Sequence, residues 1–427
     1  MSYKDRLSIG RSVLVKTQIL EINLQRLLKR IERSSKIGST EKGGICRLAL
    51  THEDKLFRNE FKEYMLNAGL SVTIDDFGNM YGRREGVRSD LEPILIGSHL
   101  DTQPLGGKYD GIYGVLTALE IIETLNDYKI QTEHPIEIVN FTSEEGARFP
   151  IPMLGSGGVA NVFTQEEIYL TTSSDGKTYI SELDNIGYLG FAENRRNNFH
   201  SFIELHIEQG PILEAEGIDI GIVKGIQGIT WLEVNLTGKS AHAGTTPMDH
   251  RKDAFLTASK IRYEIQNIVE DIGNDVKCTI GKLKLYPNTT NCVPEKVDFT
   301  VDVRSVDNLV REDAVNRIKS KILSIAAQDN IGILVKEIWD EKTTVFSKAL
   351  VEQIKHVTNE LNLTSKDLYS GAGHDSKYMN LLGETAMIFI PSVDGKSHCE
   401  DEYSLDKDIK NGANVLLNLV CKLAKNI

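Results

Sequence analysis

The chain has 427 residues, 40% of them hydrophobic and 26% charged, which is too long for one typical core and suits a globular protein of two domains. A net charge of −12 argues against a nucleic-acid binder, which would need a basic balance. Five scattered cysteines, Cys46, Cys278, Cys292, Cys399 and Cys421, form no CxxC pair, which argues against a disulfide framework or a thiolate zinc site and points to a reducing compartment, the cytoplasm.

The N-terminal stretch carries basic residues without the continuous apolar core of a signal peptide. Leu20, Leu24, Leu27, Leu28 and Ile31 recur at helical spacing and predict a packed or docking helix. No run of about 18 apolar residues occurs, so no membrane span is expected.

Four apolar runs each end in unusual polar residues. ILIG (94–97) leads into Ser98-His99-Leu100-Asp101, and IEIVNF (136–141) into Thr142-Ser143-Glu144-Glu145-Gly146. SFIEL (201–205) leads into His206-Ile207-Glu208-Gln209-Gly210, and TAMIFIP (385–391) into SVDGKSHCEDE. A helix is predicted over 111–125, with Asp110 suited to its N-cap. Open α/β sheets bind ligands beyond the carboxyl ends of their strands, so the four polar clusters imply one shared cleft.

The middle of the chain reads differently. Strands are predicted at Ile229–Leu236, Cys278–Leu285, Lys296–Arg304 and Ile331–Trp339, with helices at Asp249–Glu270 and Arg311–Ala327. That order, β-α-β-β-α-β, is the ferredoxin-like arrangement. It predicts an α+β domain at 223–341 inserted into a larger α/β domain made of 1–222 and 342–427.

The candidates for the shared cleft are His99, Asp101, Asp110, Glu144, Glu145, His206, His374, Asp375 and His398. Imidazole and carboxylate without thiolate suit zinc, manganese, cobalt or nickel. The adjacent Glu144 and Glu145 would repel each other in a cleft unless a cation lay between them. One of the pair can ligate a metal while the other takes a proton from water, the division of labour of metal-assisted hydrolysis. His52, His134, His200, His250 and His356 read as structural.

From about Ile37 onward the chain resembles the dinuclear-metal amidohydrolases that hydrolyse N-carbamoyl-amino acids and allantoate, within the aminoacylase and carboxypeptidase-like metallohydrolase group. The resemblance rests on motifs in order, among them GSHLDTQPLGGKYDGIYGV (97–115), TSEEGARFP (142–150), LHIEQGP (205–211), GKSAHAGTTPMDHRKDA (238–254), PNTTNCVP (287–294), DVRS (302–305), SGAGHDSKYM (370–379) and SHCEDE (397–402). It implies a mixed-sheet catalytic domain holding two divalent ions, with the insert serving as lid and dimerisation domain of a homodimer. By the same resemblance His99, Asp110 and His206 ligate one ion, and Asp110, Glu145 and His398 the other. Glu144 is the implied base, and Asp101 the carboxylate that orients His99. His242 is implied to polarise the scissile carbonyl, and Asn291 and Arg304 to hold the substrate carboxylate. Gln209 and Gly373 are further substrate contacts, and His374 and Asp375 lie outside the metal shell.

The implied activity is hydrolysis of an N-carbamoyl-amino acid to the amino acid, CO2 and ammonia. The alternatives are an allantoate amidohydrolase or β-ureidopropionase, then an aminoacylase or dipeptidase. A non-catalytic binding protein is the reading from another class, opposed by the presence of every implied ligand and the base. Allantoate-type members are expected to carry a glutamine where GIQGITW has Ile229, which favours the carbamoyl-amino-acid branch.

Overall fold

The computed structural model describes residues 19–425. Its core is a nine-stranded mixed sheet in the order Ser71–Ile74, Met80–Arg84, Ile136–Phe141, Ile94–His99, Ser201–Ile207, Thr385–Ile390, Ile220–Ile226 and Thr344–Val345, with Ser365–Ser370 also pairing with Ile220–Ile226. The four strands expected from the apolar runs are the four at its centre. They are mutually parallel, so their carboxyl ends all emerge on one edge. Every residue of the four is buried, the pattern expected when helices cover both faces of a parallel sheet.

The helices Ile112–Asp127 and Asp406–Leu423 pack on this sheet with broad apolar faces. Gly114 sets how closely the first of them approaches, because a Cβ there would overlap the carbonyl oxygen of Leu205. The N-terminal helix runs from Leu24 to Ser34, with Asn23 as its cap. Leu20 is buried ahead of that helix rather than within it. Its amide donates to Asn418 and that of Ile22 to Asn414, which docks the leading segment on the C-terminal helix. Residues 1–18 of the expected N-terminal segment lie outside the described residues. Among the described residues no helix is long and apolar enough to cross a membrane.

A second sheet is drawn from the middle of the chain. Its order is Leu283–Tyr286, Lys296–Ser305, Gly228–Thr237, Gly332–Glu341, and Lys277–Thr279 also pairs with Lys296–Ser305. The helices Ala254–Ile272 and Asn308–Gln328 cover one face and share a separate apolar cluster with it. The single strand expected over Cys278–Leu285 is broken in two. The break falls at Ile280-Gly281-Lys282, where the Lys282 amide turns to the Thr300 hydroxyl. The helix expected from Asp249 begins at Ala254, because the Asp253 carboxylate caps the amides of Phe255 and Leu256. The larger sheet runs past the expected boundary at 222 to Ile226 and resumes at Thr344.

Gly114→Ala should destabilise the fold by about 1–3 kcal/mol, the usual cost of overpacking, with little change in secondary structure. Urea denaturation followed by circular dichroism measures this. An unchanged midpoint would remove Gly114 as the packing constraint.

Candidate metal centre

The carboxyl ends of the central strands deliver their side chains to one place. His99 ends the first strand, His206 lies near the end of another, and Glu144 and Glu145 follow a third. His398 comes from the loop after the fourth. Asp110 occupies the middle. Its Oδ1 lies 3.1 Å from His206 Nε2 and 3.6 Å from His99 Nε2, while its Oδ2 lies 3.2 Å from His398 Nε2. Glu145 Oε2 is 3.5 Å from His398 Nε2. Two ligand sets result, His99 with Asp110 and His206, and Asp110 with Glu145 and His398, each with its donor atoms within 4.8 Å of one another.

Asp110 is not a helix cap. Gly111 takes that position with φ 65°, and no side chain caps the helix. The left-handed turn at Gly111 also removes the Cβ that would overlap the His99 ring. Freed from capping, the Asp110 carboxylate turns towards the three imidazoles.

The protonation pattern suits a cation. His99 Nδ1 bonds the Asp101 carbonyl and His206 Nδ1 the Ile207 carbonyl, both at 2.9 Å. A carbonyl only accepts, so each Nδ1 carries hydrogen, and in the neutral ring each Nε2 turns its lone pair to the cluster. The Gly111 amide donates to His206 Nε2, in keeping with that tautomer. Burial, then Asp375, Glu145 and Asp110, push the Glu144 carboxyl well above its usual range against the pull of His99. Burial and Asp110 raise Glu145 to about 7. Crowded carboxylates with raised pKa values and imidazoles with inward lone pairs are the donor set a divalent ion satisfies.

The structure divides Asp101 differently from the expectation. Its carbonyl, not its carboxylate, holds His99, and the nearer carboxylate oxygen is 4.0 Å from Nδ1. The carboxylate instead accepts the amides of Glu144 and Glu145 at 3.2 and 3.3 Å, so it sets the backbone carrying both glutamates. Glu144 Oε2 lies 3.6 Å from His99 Nε2, beside the first ligand set and outside it.

Sequence reasoning missed two buried glutamates. Glu402 accepts the amides of Tyr109 and Asp110 and the Ser397 hydroxyl, holding the loop that presents Asp110. Glu204 accepts Ser98 Oγ and the Ser376 amide. The signal for Glu204 was a charge inside the apolar run SFIEL; Glu402 was visible only as the last residue of SHCEDE. His374 stays outside both ligand sets. It packs edge to face against His206 with ring centroids 4.5 Å apart and bonds Ser370 Oγ through Nε2.

Two of the expected substrate contacts join this centre. Gln209 Nε2 donates to Asp110 Oδ2 at 2.8 Å. Gln209 and His398 line a cleft of about 650 Å³ together with Arg304 from the second sheet. Arg304 forks onto Asp302 and donates to the Gly371 carbonyl. His242, Asn291 and Gly373 do not line that cleft. His242 is exposed on a small pairing of Ala241–His242 with Cys292–Val293, next to Asn291, because both belong to an outlying ribbon of the middle segment. Its Nδ1 accepts the Gly244 and Thr245 amides, so the neutral ring carries hydrogen on Nε2.

A parallel-centred α/β sheet with paired nitrogen and oxygen ligand sets sharing one carboxylate defines a metallohydrolase type of centre. The chain belongs to Peptidase family M20/M25/M40, whose model matches residues 95–422. It is 40% identical over 404 residues to an N-carbamoyl-L-amino-acid amidohydrolase of Rhizobium meliloti, covering 95% of this chain and 97% of the relative. It is 33% identical to an allantoate amidohydrolase of Escherichia coli, covering 91% and 95%. A crystal structure of a hydantoinase/carbamoylase family amidase from Burkholderia multivorans superposes with a TM-score of 0.90 at 42% identity, over 95% of this chain and 98% of that one.

Glu402→Gln should weaken retention of divalent ions about 10- to 100-fold, as loss of a group that supports a ligand does. Metal content after dialysis against graded chelator measures it. Retention equal to the wild type would mean that Glu402 does not support Asp110.

Proposed function

We propose that the protein is a metal-dependent amidohydrolase that cleaves the carbamoyl C–N bond of an N-carbamoyl-amino acid. The observation that carries this reading is the Asp110 carboxylate shared between two ligand sets, with Glu144 free beside them. The similarity to N-carbamoyl-L-amino-acid amidohydrolases over nearly the whole chain supports the substrate class, and Ile229 in place of a glutamine favours it over allantoate.

In this reading two divalent ions, zinc, manganese, cobalt or nickel, are held by His99, Asp110 and His206 and by Asp110, Glu145 and His398. When bound they would polarise the ureido carbonyl and lower the pKa of a nearby water. Glu144 takes the proton from the attacking water and passes it to the amino-acid nitrogen as the C–N bond breaks. The other product, carbamate, decomposes to CO2 and ammonia. Asp101 keeps Glu144 in place by holding its amide. Arg304, whose Nη1 and Nη2 each keep a hydrogen beyond those given to Gly371 and Asp302, takes the substrate carboxylate, with Gln209 beside it. The segment 223–341 acts as a lid of ferredoxin-like topology and as the dimerisation surface of a homodimer. Its closure brings in Asn291 and His242, whose Nε2–H donates to the developing oxyanion. The five unpaired cysteines support a reducing, cytoplasmic setting.

Ammonia release from a panel of N-carbamoyl-amino acids, allantoate, ureidopropionate and N-acyl-amino acids tests the substrate class. Turnover confined to N-acyl-amino acids would overturn it. Glu144→Gln should lower kcat by about 10²–10⁴-fold with substrate still bound, read by steady-state kinetics and calorimetry. Chelation should abolish turnover and added divalent ion restore it; full activity after stripping would refute metal dependence.

A further inference from the structure

The cleft that joins Gln209 and His398 to Arg304 holds a second cation and an unpartnered amide that the proposed chemistry does not use. Lys277 and Arg304 are cross-strand partners in the pairing of Lys277–Thr279 with Lys296–Ser305, and Asp302 faces Thr279 in the next row. Directly opposed residues point to the same face of a sheet, and alternate residues share it. Val301 and Val303 have the other parity and are buried in the apolar cluster beneath the helices. Lys277, Thr279, Asp302 and Arg304 therefore face away from the helices, and all four line the cleft.

The charges here are unevenly matched. Arg304 already has Asp302 as its partner. Glu208, the other acid of the cleft, accepts the amides of Ile212 and Leu213. Lys277 has no carboxylate within ion-pair distance among the described residues. Gln227 stands at the start of the same sheet, two residues before Ile229, which is the Arg304 partner on the other side. Gln227 is only 8% exposed and lines the cleft, yet its side-chain amide makes no hydrogen bond among the described residues. That amide stands open to the cleft, with its donor and acceptor both available to a ligand.

We infer that Lys277 and Gln227 form a second anion subsite beside Arg304, which selects ureido acids bearing a second carboxylate, the N-carbamoyl derivatives of acidic amino acids. Arg304 takes the α-carboxylate. The Lys277 ammonium and the Gln227 amide donate to the side-chain carboxylate, and a neutral side chain leaves both without a partner. The inference rests on the ureido-acid reading above and narrows it.

The test compares kcat/KM for N-carbamoyl-L-glutamate with N-carbamoyl-L-glutamine, and for N-carbamoyl-L-aspartate with N-carbamoyl-L-asparagine. Each pair matches in shape and differs in charge. The wild type should prefer the acid of at least one pair by about tenfold, a typical gain from one matched charge in a cleft. Lys277→Met should bring that ratio close to one, and Lys277→Arg should keep it. A wild type that hydrolyses neutral N-carbamoyl-amino acids with no such preference overturns the subsite alone, as does an unchanged ratio in Lys277→Met. A wild type that cleaves no ureido acid overturns the parent reading and the subsite with it.

Discussion

One carboxylate, buried between three imidazoles, is the constraint around which the rest is arranged. Asp110 would be costly to bury as an anion, but His206, His398 and His99, when protonated, donate to it, outweigh that cost and hold its pKa well below the usual value. Those three histidines come from two central strands and a distant loop, so they meet only if the parallel sheet forms with its carboxyl ends together. The glycine that starts the following helix and the buried Glu402 behind the loop are both consequences of placing Asp110 there.

The same constraint explains how rigidity is distributed. Beneath the ligand sets lies a sheet buried on both faces, where side chains and backbone have no room to shift. The groups proposed to read the substrate sit on the second sheet or on loops, where exposed cations such as Lys277 remain adjustable. Arg304 spans the two parts through the Gly371 carbonyl, so the cleft has one fixed wall and one wall carried by a separate core. A reaction that needs fixed charge at the reacting bond and variable recognition around it is suited by that division.

Parts of this were legible in the sequence for definite reasons. Central parallel strands are apolar on both faces, so ILIG, IEIVNF, SFIEL and TAMIFI stood out as continuous runs. Their polar ends then marked the cleft. Asp110 misled in one respect, since an aspartate before a helix fits a cap, and only the left-handed Gly111 shows that its carboxylate turns elsewhere. Asp101 misled in another. A spacing of two residues put it near His99, but the backbone direction after the strand end put its carbonyl there and sent the carboxylate to the Glu144 and Glu145 amides. Cys278–Leu285 read as one strand although Gly281 interrupts it, and the break there is fixed by the Thr300 hydroxyl of the neighbouring strand.

Residue order alone was enough for the strands, the ligand-type residues at their ends and the family to which the motifs belong. Those features depend on periodicity and on short spacings, which the chain carries locally. Folding in three dimensions settled which oxygen of Asp101 does what, the support from Glu402 and Glu204, and the separation of His242 and Asn291 from the Arg304 cleft. It also placed Lys277 beside Arg304, though the two are far apart in sequence. These outcomes depend on hydrogen-bond direction and strand register between distant segments, and no local pattern encodes either.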